Sequence, residues 1–441
     1  MARCRRSGAY HPGVDISLLD GWFPWTVRVL AVVALLAAIG RPGRRWWLRR
    51  LPVAVGAAAG AAGLLAVGVL ELSGITDPLP ATLWVWLGVA LLAALVLVAG
   101  WRGARWWHRA AVPVAMLAAV LAGANTLNAA TGYYPTLGDA IGELSGSPVP
   151  DQMGLDQALQ TTGRTGTGRV VAVDVPAVPS GFAHRQELVY LPPAWFRSKT
   201  RPKLPVVEMV GGEFAAPDNW VRAGNAVKTA DAYAAKHNGF SPVLVFADAT
   251  GGFKVDTECV DGPAGNAADH LVKDLPKYVE KTFDTSADPK KWAMAGWSMG
   301  GTCAITLTAA HPEVFGHFLD ISGDLGPYIG DKQQTIEKLY GGDAAAWAAY
   351  DPQTVLAAHR GKYKGVTGMF DVGDQESGQL AHAKQLEAAA GKAGLTTRLN
   401  VEPGRHVWQF AAGAFERQLP WLAQQLGTPG AAAKNPSAAA R

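Results

Sequence analysis

Two apolar patterns divide this chain. Up to about residue 131 the hydrophobic residues run on with little interruption, and beyond about residue 168 they come in short runs punctuated by Gly and Pro. Segments 51–70, 78–100 and 110–131 contain no charged residue. A helix needs about 20 mostly apolar residues to cross a hydrocarbon core, so each is expected to span a membrane. Segment 22–40 is a weaker candidate, because it carries Pro24 and Arg28. Arg28 lies near one end, where its head group can snorkel to the interface. A secretory signal peptide competes for this first segment, but RPGRRWWLRR follows it in place of a small-residue cleavage site. The pattern therefore predicts three or four transmembrane helices, at about 22–40, 51–70, 79–100 and 110–130.

From 168 to 427 the period changes. Strand-like runs are expected at 169–175, 187–191, 204–210, 241–247, 291–295, 315–321, 366–372 and 395–401. Helical spacing is expected at 226–237, 270–283, 302–310, 333–350, 379–393 and 414–426. Strands alternating with helices of this length predict an α/β domain with a mainly parallel sheet covered on both faces. Residues 132–167, rich in Gly, Thr and polar side chains, read as a linker, and 428–441 as a disordered, low-complexity tail.

Charge sharpens the division. Before residue 139 the only acids are Asp15, Asp20, Glu71 and Asp77. Arg41, Arg44, Arg45, Arg49 and Arg50 crowd the first short connection, and Arg102, Arg105 and Arg109 the third, while 71–77 has no basic residue. Positive loops stay on the cytoplasmic side, which sends everything after Thr131 to the outer side in a multi-pass cell-membrane protein. Arg3, Arg5 and Arg6 prefer the cytoplasm as well, which keeps a three-span topology open. The net charge of +4 comes partly from these flanking arginines, and no basic face with stacking aromatics points to nucleic acid. The three strong spans hold no ionisable residue, so an anchor is favoured over a transporter.

The chemistry centres on Gly296-Trp297-Ser298-Met299-Gly300, a G-x-S-x-G pentapeptide between an apolar strand and a small-residue helix. That context marks a nucleophile elbow, a sharp turn whose neighbours must be glycine. Ser298 needs a base, and in this arrangement the histidine follows the last strand. His406 occupies that place, whereas His382 lies on a helix and His359 beside a basic run. The orienting acid is expected after strand 366–372, where Asp371, Asp374 and Glu376 are available. Asp371 falls inside the strand, Glu376 is favoured on reach, and Asp374 is the alternative. Oxyanion donors are expected from the N–H of Met299 and from the loop after 204–210, at Gly212 or Glu213. No cofactor is expected, and the three cysteines, Cys4, Cys259 and Cys303, show no metal-ligand spacing. Cys259 and Cys303 are expected to form a disulfide, because both reach the oxidising side and both sit near the carboxyl-end rim of the sheet.

From about Val171 to Gly427 the chain resembles the esterase family of α/β-hydrolases that includes esterase D, feruloyl esterases, enterochelin esterases and bacterial mycolyltransferases. LPVVEMVGG, DTECVDGPAGNAADHLVKDLPKYVEKTF, WAMAGWSMGGTCAITLTAAHPEVFGHFLDISG, FDVGDQE and PGRHVWQF carry the likeness. The resemblance implies an extracytoplasmic enzyme acting on carboxylic esters through an acyl-enzyme, with Ser298 and His406 carried over and Glu376 matching the acid position. MVGG departs from the more usual HG or DG, which leaves the second oxyanion donor open. The partners implied are an ester or acyl-lipid substrate and the bilayer. An acyltransferase passing the acyl group to a cell-envelope sugar or lipid would use the same three residues. A non-catalytic interaction domain is disfavoured by the intact Ser–acid–His order. The acyl chain, the acceptor and the oligomeric state are not readable from the sequence.

Overall fold

The computed structural model describes residues 16–40, 43–72, 79–100, 104–253 and 255–431. Its contacts divide the chain into two units, Met1–Ser147 and Pro148–Arg441. Arg3, Arg5, Arg6, Cys4, Arg41, Arg102, most of the acidic connection 71–77 and the tail from 432 lie outside the described residues.

Among the described residues of the first unit, four helices are long and apolar enough to cross a membrane. They are α1 (Trp22–Ile39), α2 (Leu51–Leu72, entered through a π-helical turn at Trp46–Arg50), α3 (Ala81–Gly100) and α4 (Trp106–Thr131). Their packing is inverted relative to a soluble bundle. Ala31, Ala38, Ala93, Ala115 and Ala119 are fully buried between helices, while Val53, Leu64 and Val98 face outward. Small residues at these contacts let the helix backbones approach closely. His108 on α4 is buried, its Nδ1 2.9 Å from the Ala37 carbonyl oxygen on α1.

The second unit is built on a nine-stranded sheet. In chain order its strands are β1 (Gln152–Met153), β2 (Arg169–Val173), β3 (Glu187–Leu191), β4 (Val206–Val210) and β5 (Val243–Phe246). After a two-residue hairpin, β6 (Asp261–Gly262) and β7 (Gly265–Asn266), come β8 (Trp292–Trp297), β9 (His317–Ile321), β10 (Thr367–Gly373) and β11 (Thr396–Glu402). The spatial order is β1-β2-β3-β5-β4-β8-β9-β10-β11. From β5 to β11 all pairs are parallel, and β3 runs antiparallel to both β2 and β5. Every residue of β4, β5, β8 and β9 is buried, the signature of parallel strands covered on both faces. One consequence places the site: β4, β8, β9 and β10 all release their chain at the same rim, where such sheets hold ligands.

Several boundaries differ from expectation. The segment read as a linker contributes helices Leu137–Leu144 and Leu155–Gln160, and β1, within it, pairs with β2. The helix expected over 333–350 is two, Lys332–Tyr340 and Ala344–Tyr350. Gly341 and Gly342 both take positive φ between them, and Asp343 caps the second helix through the Ala345 and Ala346 N–H groups. The last helix begins at Trp408, earlier than 414, because Trp408, Phe410 and Ala411 bury into the core ahead of the regular apolar stripe.

Candidate active site

The elbow is built by steric exclusion. β8 runs into Ser298, whose backbone takes φ 59 and ψ −124, a region side chains rarely occupy. The turn brings Gly296 and Gly300 face to face, so a Cβ on Gly296 would collide with the Gly300 backbone. A Cβ on Gly300 would in turn meet the carbonyl oxygens of Val210 and Gly211 at the end of β4. The chain then enters the helix Met299–Ala310, and the Ser298 N–H is tied to the Ile321 carbonyl oxygen at 2.9 Å. These contacts hold the serine at the rim with no freedom to retreat.

His406 arrives from the loop after β11. Its Nε2 lies 2.8 Å from Ser298 Oγ, and its Nδ1 lies 2.5 Å from Glu376 Oε1. Glu376 is fixed in turn: Oε2 accepts from Ser322 Oγ and from the Gly373 N–H, both at 2.7 Å. The structure thus brings Ser298, His406 and Glu376 into one hydrogen-bonded line. Asp374 stands apart, its Oδ1 accepting from the Gly404 N–H at 3.0 Å. Asp371 is fully buried within β10 and held by Arg417, Gln418 and Asn400 at 2.7–2.9 Å. It is a structural anchor for the last helix.

Met299 is the first residue of its helix, so its N–H has no carbonyl one turn back. Gly212 packs against the nucleophile, with a Cβ there falling 3.6 Å from Ser298 Cβ and 3.5 Å from the Trp297 ring. The Met299 N–H, beside Ser298 at a helix N-terminus, is suited to developing negative charge on oxygen.

Several residues at this site have roles that the motifs do not show. Trp297 packs on His406 with ring centroids 4.9 Å apart and on Trp408 at 4.7 Å, and Trp408 meets Trp220 edge-on at 5.2 Å. This aromatic wall backs the imidazole. Ser322, at the end of β9 with φ 52, is buried and donates to the acid. The ISG turn after a strand was its available signal. Cys259 and Cys303 form a disulfide with Cα atoms 5.7 Å apart, pinning the loop after β5 to the helix behind the nucleophile. That loop also carries Glu258, whose carboxyl is held well above the usual range by burial and then by Asp256, Asp324 and Glu213, with the Tyr328 N–H opposing. At the end of β9, burial pushes Asp320 up to about 7, Asp324 adds to the rise, and the Gly323 N–H and His382 oppose it.

A parallel-centred sheet with a serine elbow between β8 and its helix, and a histidine after the last strand, defines an α/β-hydrolase. Comparison with known proteins extends this. The family described as "Putative esterase" matches residues 184–422, and the chain belongs to that family. An uncharacterized protein of Corynebacterium glutamicum is 32% identical over 368 residues, covering 80% of this chain and 83% of its own length. Among solved structures, a ferulic acid esterase superposes with a TM-score of 0.50 at 20% identity, over 59% of this chain and 99% of that one. An S-formylglutathione hydrolase from Agrobacterium tumefaciens gives 0.47 at 20% identity, over 61% and 99%. MPT51 of Mycobacterium tuberculosis gives 0.43 at 19%, over 58% and 97%. The protein is a serine esterase or acyltransferase.

Proposed function

We propose that this protein is a membrane-anchored serine esterase that cleaves carboxylic esters through an acyl-enzyme on Ser298, with its catalytic domain on the outer side of the cell membrane. The observation that carries the chemistry is the Ser298–His406–Glu376 line at 2.8 and 2.5 Å. His406 Nε2 takes the Ser298 proton as Oγ bonds to the ester carbonyl carbon. The Met299 N–H, with that of Gly212, receives the oxyanion. Collapse expels the alcohol, which leaves with the proton held on Nε2, and Glu376 stabilises the imidazolium between the two transfers. A second nucleophile then bonds to the acyl carbon, gives its proton to Nε2 and releases Ser298. Water makes the enzyme a hydrolase. A sugar or lipid hydroxyl of the cell envelope in that role makes it an acyltransferase.

The anchoring reading rests on the four apolar helices and on the arginine-rich connections, which favour the cytoplasm. The Cys259–Cys303 bond supports the outer side for the second unit, because disulfides persist where conditions are oxidising. Ser298→Ala is expected to lower hydrolysis of a short p-nitrophenyl ester by about 10⁴–10⁶ and to abolish fluorophosphonate labelling. Near wild-type turnover by the mutant sinks the assignment. Adding envelope glycolipids separates transfer from hydrolysis by the product formed. Labelling intact cells with a membrane-impermeant fluorophosphonate tests the side, and a signal that appears only after lysis reverses it.

A further inference from the structure

A second polar cluster lies away from the Ser298 line, at the start of β3. Glu187 and His270 are fully buried, His184 is nearly so, and one donor atom from each of the three lies within 4.8 Å of the other two. The imidazoles of His184 and His270 stack with centroids 4.3 Å apart. The count of protons in this cluster does not close. His184 places Nε2 2.8 Å from the Val175 carbonyl oxygen and Nδ1 2.8 Å from that of Arg185. His270 places Nε2 3.0 Å from Glu187 Oε1 and Nδ1 3.5 Å from Asp274 Oδ2. His270 Nδ1 makes no hydrogen bond, and its carboxylate neighbours can carry a proton themselves. His184 is different: both of its ring nitrogens face carbonyl oxygens, which cannot donate, yet a neutral imidazole carries one N–H. One lone pair is left pointing at oxygen, and an added proton or a divalent cation relieves it.

Two features favour the cation. Glu187 Oε2 is buried without a hydrogen-bond partner and faces His184 Nδ1 at 3.8 Å. A buried oxygen left this way carries its desolvation cost uncompensated, and a metal would satisfy it. The outer partners also have the arrangement that metal-binding histidines use, in which the nitrogen turned away from the ion donates to a carbonyl or carboxylate. Val175 O would receive the His184 Nε2–H, and Asp274, 3.5 Å from His270 Nδ1 without a hydrogen bond, is the carboxylate that faces the outer side of the second ring. Asp274 is itself fixed by the Ser180 hydroxyl, and Glu187 Oε1 by the Asp248 N–H at 3.1 Å.

We propose that His184 Nδ1, Glu187 and His270 Nε2 form a structural site for a zinc-class divalent ion, with the Arg185 carbonyl oxygen as a neighbouring fourth donor. Two imidazoles and a carboxylate suit zinc, whose tetrahedral ligands sit roughly 3.3 Å from one another for bonds of about 2.0–2.1 Å. The existing separations, 3.0 Å from His270 Nε2 to Glu187 Oε1 and 3.8 Å from His184 Nδ1 to Glu187 Oε2, lie on either side of that value, one for each carboxylate oxygen. The ion would fasten the segment 184–186, the start of β3 and the helical segment His270–Asp274 to one point. No ligand spacing in the sequence shows it, since Glu187 and His270 are 83 residues apart.

The test uses the full chain in detergent, stripped with a chelator and titrated with Zn²⁺ and with Co²⁺ as a spectroscopic probe. One equivalent per chain and cobalt d–d bands of a four-coordinate N/O site are expected. His184→Ala and Glu187→Gln should each weaken zinc binding at least 100-fold, while fluorophosphonate labelling of Ser298 reports that each variant is folded. Absence of stoichiometric zinc and cobalt binding overturns the proposal in favour of a protonated His184. Binding that survives both substitutions unchanged overturns it too, since the ion then belongs to other histidines. Neither result bears on the ester chemistry of Ser298.

Discussion

Replacing Glu376 with Gln should cost far more than the loss of one hydrogen bond, for a reason contained in its contacts. Three donors converge on this carboxylate: His406 Nδ1–H on Oε1, and Ser322 Oγ–H with the Gly373 N–H on Oε2. Glutamine has one oxygen and one NH₂ group. The oxygen is claimed by the Ser322 and Gly373 side, because a backbone N–H cannot reverse its polarity. The NH₂ group must then face Nδ1, which forces that nitrogen to accept. The proton moves to Nε2, and the histidine now donates toward Ser298 in place of accepting from it. A base held in the wrong tautomer loses about 10⁴ in kcat, or roughly 5.5 kcal/mol of barrier at 1.36 kcal/mol per decade. Steady-state hydrolysis of p-nitrophenyl butyrate should therefore show kcat down about 10⁴-fold with KM little changed. Asp374→Asn, which touches only the Gly404 N–H, should stay within about threefold. If Glu376→Gln kept kcat within tenfold of wild type, or if Asp374→Asn proved the more damaging, this reading of the acid would be wrong.

Two further outcomes follow from buried groups. Because Asp320 is pushed up to about 7 in the folded state, against an unfolded value near 4, folding holds its proton. Wild-type stability should thus fall as pH rises from about 4 to 7, and Asp320→Asn should lack that slope, gaining up to roughly 4 kcal/mol relative to wild type by pH 8. Urea midpoints at pH 4.5 and 8 check this, and parallel pH profiles for the two proteins refute it. Removing the Cys259–Cys303 bond by the double alanine change reopens a loop with a sequence separation of 44, a cost of roughly 4 kcal/mol in the chain-entropy treatment. An unchanged urea midpoint for the detergent-solubilised variant contradicts it.

The readable parts of the molecule were those set by local sequence. The elbow is legible because strand, glycine, serine, glycine and helix are contiguous, and the steric reason for each glycine lies within a few residues. The preference for Glu376 over Asp371 came from strand register, since a residue inside β10 is committed to the sheet. The Gly341-Gly342 break was missed because apolar periodicity resumes in phase on both sides of it. β1 was missed because two residues carry no alternation to read. Trp297, Ser322 and the His184–Glu187–His270 cluster depend on chain segments brought together only by the sheet order. No spacing rule reaches across β3, β5 and the helical segment that covers them.

The backbone of Ser298 also decides what can replace it. At φ 59 a residue with a single substituent on Cβ is strained but tolerated, whereas a β-branched one meets its own backbone. Threonine, the closest chemical relative of serine, is therefore excluded by shape although its hydroxyl would serve. Cysteine fits the same turn and would bring a thiolate to His406. The routes by which this site can change its chemistry lead toward thioesters and thiol intermediates, and the route toward a secondary alcohol is closed by the turn itself.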